Sequence, residues 1–184
     1  MSHLGFMLVA AALSLSTSSN AESDNVTRPD SSKESLIASA LSAGPPSVTD
    51  DARIIDHDGK VLRQGSNGFT CMPESPAMGP MCNDDVWMAM IGALMGGAPY
   101  EGGKFGMSYM LAGEGASPGV SNIEPAATKP TPDNQWIKDG PHLMVILPDP
   151  AVYADMSSDP ADPVYVMWKN TPYAHLMVRI AEKD

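Results

Sequence analysis

The chain has 184 residues, and its 22 Asp and Glu against 11 Lys and Arg give a formal net charge of −11. Nucleic acids and anionic lipid surfaces both attract basic proteins, so this charge argues against either as a partner. Hydrophobic residues make up 43% of the chain, which predicts a single globular domain, and 16 Gly with 17 Pro predict a loop-rich one.

The N-terminal segment has the features of a secretory signal peptide. Residues 4–13 form an apolar run that is too short to span a membrane, and Ser19 and Ala21 are small residues at the spacing that a signal peptidase recognises. We predict three segments: a signal peptide over 1–21, a flexible tail over 22–30, and a single domain over 31–184. The mature protein is then periplasmic or extracellular, without stable membrane insertion, and a short membrane anchor is the alternative.

Cys71 and Cys82 are the only cysteines, with ten residues between them. An even, closely spaced pair in an oxidising compartment predicts one disulfide. A closed loop of this size stabilises a fold by about 3 kcal/mol on the chain-entropy model. A regulatory or metal-binding pair of thiols is the alternative.

Patterns in the first half of the domain predict a helix, a β-hairpin, a third strand and a second helix. Ser31 to Glu34 form a capping-box pattern, and Gly44 with the prolines after it ends the first helix. Asp58-Gly59 is a turn signal between two short strands. The predicted elements after the first helix are strands over 52–56, 60–63 and 68–71, and a helix over 86–95 capped by Asn83 to Asp85.

The second half of the chain is predicted to be rich in strands. Residues 142–147 are apolar at every position after the first, which is typical of a central strand covered on both faces. The other predicted elements are strands over 104–111, 164–168 and 173–180, a long loop over 112–132, and a short helix over 151–156. Together the patterns predict an α+β fold, with two main helices packed on a small, mostly antiparallel sheet.

Two of the predicted strands contain the same four residues, His-Leu-Met-Val, at 142–145 and 175–178. Alternate residues of a strand share a face, so His142 and Met144 point the same way, as do His175 and Met177. Imidazole and thioether are ligands for a soft ion such as Cu(I), so the pattern favours a site for copper or another small ligand. The alternative is a packed core with histidines at its rim, because Met is also a common core residue.

An enzymatic interpretation starts from the same histidines. His142 or His175 would act as a general base oriented by an aspartate, with Asp84 and Asp85 among the candidates, in a hydrolase-like enzyme. Acids such as these more often cap a helix than act in catalysis. Trp136 lies in a long loop segment that ends just before His142, and this segment is the predicted pocket wall.

The ordered series of motifs resembles a family of exported bacterial proteins to which no activity is attached, over roughly residues 48–180: DHDG at 56–59, NGFTC at 67–71, CNDD at 82–85, GPHLM at 140–144, MWK at 167–169 and TPYAHLM at 171–177. The resemblance implies a small secreted or periplasmic domain and supplies no catalytic residue. It also implies Trp at the position of His57, which leaves His142 and His175 as the candidate ligands. We expect an exported accessory or binding protein for a small ligand or a metal ion.

Overall fold

The structure is a computed structural model that describes Met1 and residues 32–181. The predicted tail and all but the first residue of the predicted signal peptide lie outside the described residues. No helix in the described part is long and apolar enough to cross a membrane.

Three α-helices and one 3-10 helix occur within residues 32–181. The Ser32 side chain caps the first helix by accepting a hydrogen bond from the Ser35 backbone, and the Asp84 side chain caps the third in the same way. Their bounds are α1 (Lys33–Leu41), α2 (Pro46–Thr49), α3 (Asp85–Met95) and the 3-10 helix (Pro150–Asp155).

Eight of the ten strands in this part of the chain form one sheet, in the order β2-β1-β3-β4-β5-β8-β10-β9. The strands are β1 (Arg53–Ile55), β2 (Val61–Arg63), β3 (Phe69–Met72), β4 (Met81–Asp84), β5 (Gly106–Met110), β6 (Val120–Ser121), β7 (Trp136–Ile137), β8 (His142–Ile146), β9 (Val164–Met167) and β10 (His175–Arg179). The short strands β6 and β7 pair separately as an antiparallel hairpin. The central position predicted for the strand at 142–147 is confirmed, since β8 lies between β5 and β10.

The α+β class and the two main helices are confirmed, and six of the seven strand pairings in the sheet are antiparallel, but the prediction of a small sheet is wrong. The sheet has eight strands and is mixed, because β1 and β3 pair in parallel. Loop 64–68 crosses the start of β1 here, with the Ser66 backbone N–H donating to the Asp51 carbonyl. Only glycine fits at position 65, where a Cβ would lie 2.2 Å from the Ala52 backbone.

The fourth strand was missed because its residues also carry the cap of α3. Asn83 and Asp84 indicate a helix start, yet residues 81–84 pair with β3 on one side and β5 on the other. Cys71 and Cys82 lie directly opposite each other in this pairing and form the predicted disulfide, with their Cα atoms 4.0 Å apart. The disulfide is therefore confirmed, and it joins two neighbouring strands.

The buried apolar side chains form two clusters. The first, called the disulfide core here, packs α1 and α2 against the β1 to β4 half of the sheet and consists of Ala40, Ala43, Val48, Ala52, Ile54, Leu62, Cys71 and Cys82. The second, called the methionine core, lies beneath α3 and consists of Met81, Trp87, Met90, Met110, Met144, Ile146, Tyr165, Met167, Trp168 and Met177. The candidate site lies in the methionine core.

Candidate functional site

A pocket of about 330 Å³ opens into the methionine core. Nine methionines of the described residues line it: Met72, Met78, Met81, Met90, Met95, Met110, Met144, Met167 and Met177. Two indoles, Trp87 and Trp168, complete much of the apolar wall, and the polar groups include those of Glu114 and His175.

Strand register explains why so many methionines meet in one place. Met144 on β8 lies opposite Met177 on β10, and Met72 on β3 lies opposite Met81 on β4. Residues directly opposite in adjacent strands share a face of the sheet. The methionines therefore form one surface across neighbouring strands, and α3 covers that surface with Trp87 and Met90.

His175 is the most enclosed polar group in the pocket wall, at 1% exposure. Its Nδ1 lies 2.9 Å from the Tyr173 carbonyl oxygen, and a carbonyl only accepts, so Nδ1 carries the proton. Its Nε2 is buried without a hydrogen-bond partner. Burial lowers the pKa of His175 to about 4, so the imidazole is neutral at physiological pH.

Two indole rings fix the orientation of the His175 imidazole. The ring centroids of Trp87 and Trp168 lie 4.9 and 5.1 Å away, both edge-on. Trp168 has a φ of 53°, which is a rare conformation for a bulky residue, and its indole N–H donates to the Ser121 carbonyl at 2.7 Å. Rare backbone conformations cluster at functional sites because the surrounding structure must impose them. Here the result is an indole held against His175.

His142 repeats the local geometry of His175 at the other end of the strand pair. Its Nδ1 lies 2.7 Å from the Gly140 carbonyl oxygen, and its Nε2 is also buried without a partner. The strands are antiparallel, with His142 opposite Arg179, so the two histidines are offset by four residues, about 13 Å along the strands. Register thus brings the two thioethers of Met144 and Met177 together and holds the two imidazoles apart.

Glu114 brings a carboxyl group into the same pocket wall while remaining 5% exposed. The Ser117 hydroxyl donates to it at 3.1 Å, and the Gly79 backbone also hydrogen-bonds to it. Burial raises the pKa of the Glu114 carboxyl, and the nearby His142 and these hydrogen bonds partly offset the rise. A Cβ at position 79 would lie 2.2 Å from the Gly113 carbonyl oxygen, so this close approach requires glycine.

Three predicted site residues line the pocket, namely Met144, His175 and Met177, whereas His142 does not. The other candidates lie elsewhere. The Asp84 carboxylate accepts hydrogen bonds from the backbone of Trp87 and Met107, and Asp85 is exposed in the first turn of α3. Trp136 is half-buried beside a separate surface cleft, and its indole N–H donates to the Pro118 carbonyl.

Sequence analysis missed several pocket residues, including Met167, Trp87, Trp168 and Glu114. Met167 lies opposite His175 in the β9–β10 pair, a position that only the register reveals. Met-rich composition was a usable signal for the pocket, since nine of the chain's 14 methionines line it. His57, set aside on the family resemblance, also lines the pocket, where its side chain is exposed.

The hydrogen bonds of His142 and His175 can be compared with those of a general base held by an aspartate. Within residues 32–181 both imidazoles use Nδ1 for a backbone carbonyl, and neither hydrogen-bonds to a carboxylate or a hydroxyl. A general base held by an aspartate is therefore not assembled at either histidine.

Comparison of the chain with protein-family models, curated proteins and solved structures finds no match.

Proposed function

We propose that this protein is an exported binding protein that takes a small, mainly apolar ligand into its methionine-lined pocket. The observation that carries the proposal is the pocket itself, a concave space of about 330 Å³ lined by nine methionines and two tryptophans. Small-molecule sites are commonly apolar clefts of roughly 300–1,000 Å³ with a few fixed polar groups.

The composition of the wall supports adaptable binding of apolar molecules. Methionine is unbranched and polarisable, so a surface of methionines adjusts to ligands of different shape. His175 Nε2 and the Trp87 indole N–H are buried polar atoms without partners, one an acceptor and the other a donor. A ligand with one small polar group gains a hydrogen bond there when the methionine side chains move aside.

Export is the second part of the proposal. The disulfide supports it, because such bonds persist mainly in oxidising compartments, and the predicted signal peptide points the same way. The hydrolase-like alternative has weaker support, because no aspartate orients either imidazole in the described residues.

The direct test is equilibrium binding of an uncharged apolar probe, N-phenylnaphthylamine, followed by its fluorescence. We expect saturable binding of one probe per chain, with energy transfer from Trp87 and Trp168 to the probe. Ile91→Trp fills the pocket from α3 and should weaken binding at least about tenfold, equivalent to about 1.4 kcal/mol.

Ala89→Trp is the matched control, because Ala89 is exposed on the same helix and does not line the pocket. It should bind the probe like the wild type. If Ile91→Trp does not fold, Met95→Trp narrows the pocket from a side chain that is 83% exposed. The proposal would be overturned if the wild type shows no saturable binding, or if Ile91→Trp and Met95→Trp both bind the probe as tightly as the wild type does.

A further inference from the structure

One imidazole and three thioethers lie together on the face of the sheet that lines the pocket. Met167 is directly opposite His175 in the β9–β10 pair, and Met177 is two residues beyond His175 on the same face. Met144 is directly opposite Met177 in the β8–β10 pair. These three residues, called the methionine triad here, all line the pocket with His175.

The His175 imidazole has the orientation that a metal ligand requires. A ligating histidine donates its second ring N–H to a carboxylate, a carbonyl or water, which fixes the tautomer and leaves the other nitrogen free to bind. The Nδ1–H of His175 donates to the Tyr173 carbonyl at 2.9 Å, and two indoles hold the ring from its sides. The remaining nitrogen, Nε2, is buried without a partner, and the strand register makes the methionine triad the neighbours of His175 on this face.

The available donors select one class of ion. Zinc sites are built from several His, Cys, Asp or Glu side chains, and no group of three or more such residues occurs in the described part of the chain. Thioethers with a single imidazole suit Cu(I), whereas Cu(II) favours nitrogen and oxygen ligands in a square arrangement. We infer that His175 and the methionine triad form a binding site for a soft monovalent metal ion, and that this ion is Cu(I).

Charge in the surroundings favours a cation at this position. A monovalent ion loses hydration when it enters an apolar pocket, so its bonds to soft ligands must offset that cost. Among the pocket-lining residues the one carboxyl group is that of Glu114. The whole chain carries a formal charge of −11, which raises the local concentration of cations.

This inference uses the pocket of the proposed function but assigns a different ligand at its base. The two are separable, because Met→Leu removes a thioether while nearly conserving apolar volume. A variant with leucine at all three triad positions should lose the metal.

The test is anaerobic titration of Cu(I) against the chromophoric chelator bicinchoninate. We expect the wild type to bind one Cu(I) per chain, and X-ray absorption to show one nitrogen ligand with sulfur ligands. The variant M144L/M167L/M177L should bind Cu(I) at least about 100-fold more weakly, the upper range seen when groups supporting a metal site are removed.

The matched control is M88L/M107L/M156L, which changes three methionines of the described chain that do not line the pocket. It should bind Cu(I) within about twofold of the wild type. If the triad variant does not fold, single leucine substitutions at the same positions and His175→Phe replace it. The inference is overturned if the wild type fails to compete for Cu(I), or if triad and control variants lose affinity equally. Apolar-probe binding without Cu(I) binding leaves the proposed function intact, and the reverse result rejects that function alone.

Discussion

The two cores of this protein differ in the shape of their side chains and in how closely these pack. The disulfide core uses small and branched aliphatic side chains around a covalent bond, and its Ala40, Ala52 and Ile54 are completely buried. The methionine core uses long, unbranched thioethers and encloses a pocket of about 330 Å³. A rigid half and an adaptable half thus share one sheet.

The difference indicates which half of the sheet stabilises the fold and which half is suited to the binding proposed above. Close packing of small residues gives stability, but it leaves no room for a ligand. Flexible methionines and buried polar atoms without partners carry a cost in stability, and such costs are typical of functional sites. The comparison implies that mutations in the disulfide core change stability, whereas those in the methionine core change binding.

Removing the disulfide should have the largest effect on stability. We expect C71A/C82A to lower the free energy of unfolding by about 3 kcal/mol in urea denaturation, because the unfolded chain loses its cross-link. The folded variant should still bind N-phenylnaphthylamine, because neither cysteine lines the pocket. A thiol reductant should destabilise the wild type and leave C71A/C82A unchanged; an equal response would contradict the assignment.

Acid should weaken the fold through the methionine core. His175 has a folded-state pKa of about 4, against 6.5 for an ordinary histidine, so the unfolded chain binds more protons between these values. Stability is therefore complete above about pH 6.5 and falls by about 3 kcal/mol as the pH drops to 4. Urea denaturation across this range measures the effect.

The matched variants for the pH experiment are His175→Phe and Glu114→Gln. The raised pKa of Glu114 acts in the opposite direction, because the folded chain then takes up a proton before the unfolded chain does. His175→Phe should flatten the pH dependence between 6.5 and 4, and Glu114→Gln should steepen it. An unchanged slope in His175→Phe would show that another group is responsible.

Larger side chains should have different effects on stability in the disulfide core and at the pocket, and both effects should be smaller than that of removing the disulfide. Ala40→Leu inserts three carbons into the disulfide core, where the Ala40 carbonyl oxygen lies 3.8 Å from the Cys82 sulfur, and should cost about 2 kcal/mol. Ala77→Leu adds the same atoms at an exposed position lining the pocket and should change stability by less than about 0.5 kcal/mol. Equal costs in thermal or urea denaturation would mean that the pocket is as tightly packed as the disulfide core.

A small effect on stability is expected for the residue with the largest predicted role in binding. His175→Phe keeps an aromatic ring between Trp87 and Trp168 and removes the unpartnered Nε2, but it also removes the hydrogen bond from Nδ1 to the Tyr173 carbonyl. We expect its unfolding free energy at pH 8 to stay within about 1 kcal/mol of the wild type. Cu(I) affinity, measured by chelator competition, should fall sharply. Severe destabilisation with intact Cu(I) binding would assign His175 a purely structural role.

Much of the element order was predictable from local signals. The Asp58-Gly59 turn, the aspartate cap of α3 and the apolar run at 142–147 each act over a few residues, and each predicted element is present. The Cys71–Cys82 bond was predictable from the number and spacing of the cysteines together with the predicted signal peptide. The parallel β1–β3 pairing was not, because it depends on how loop 64–68 crosses β1 rather than on any local pattern.

The site was only partly predictable for the same reason. Alternation within a strand correctly placed Met144 on the face of His142, and Met177 on that of His175. The relative direction of the two strands decides whether the histidines meet, and no residue in either strand encodes it. Met167 is a neighbour of His175 because β9 pairs with β10. The sequence of β9 alone does not indicate that pairing.

The position of β10 in the sheet determines when the pocket is complete and can take up the proposed ligand. β10 is the last strand of the described chain, yet it lies inside the sheet between β8 and β9 and carries His175 and Met177. During synthesis or passage through a membrane, the pocket lacks one wall until residue 177 has emerged. Under the export and ligand binding proposed above, the chain would therefore travel empty and take its ligand from the compartment in which it finishes folding.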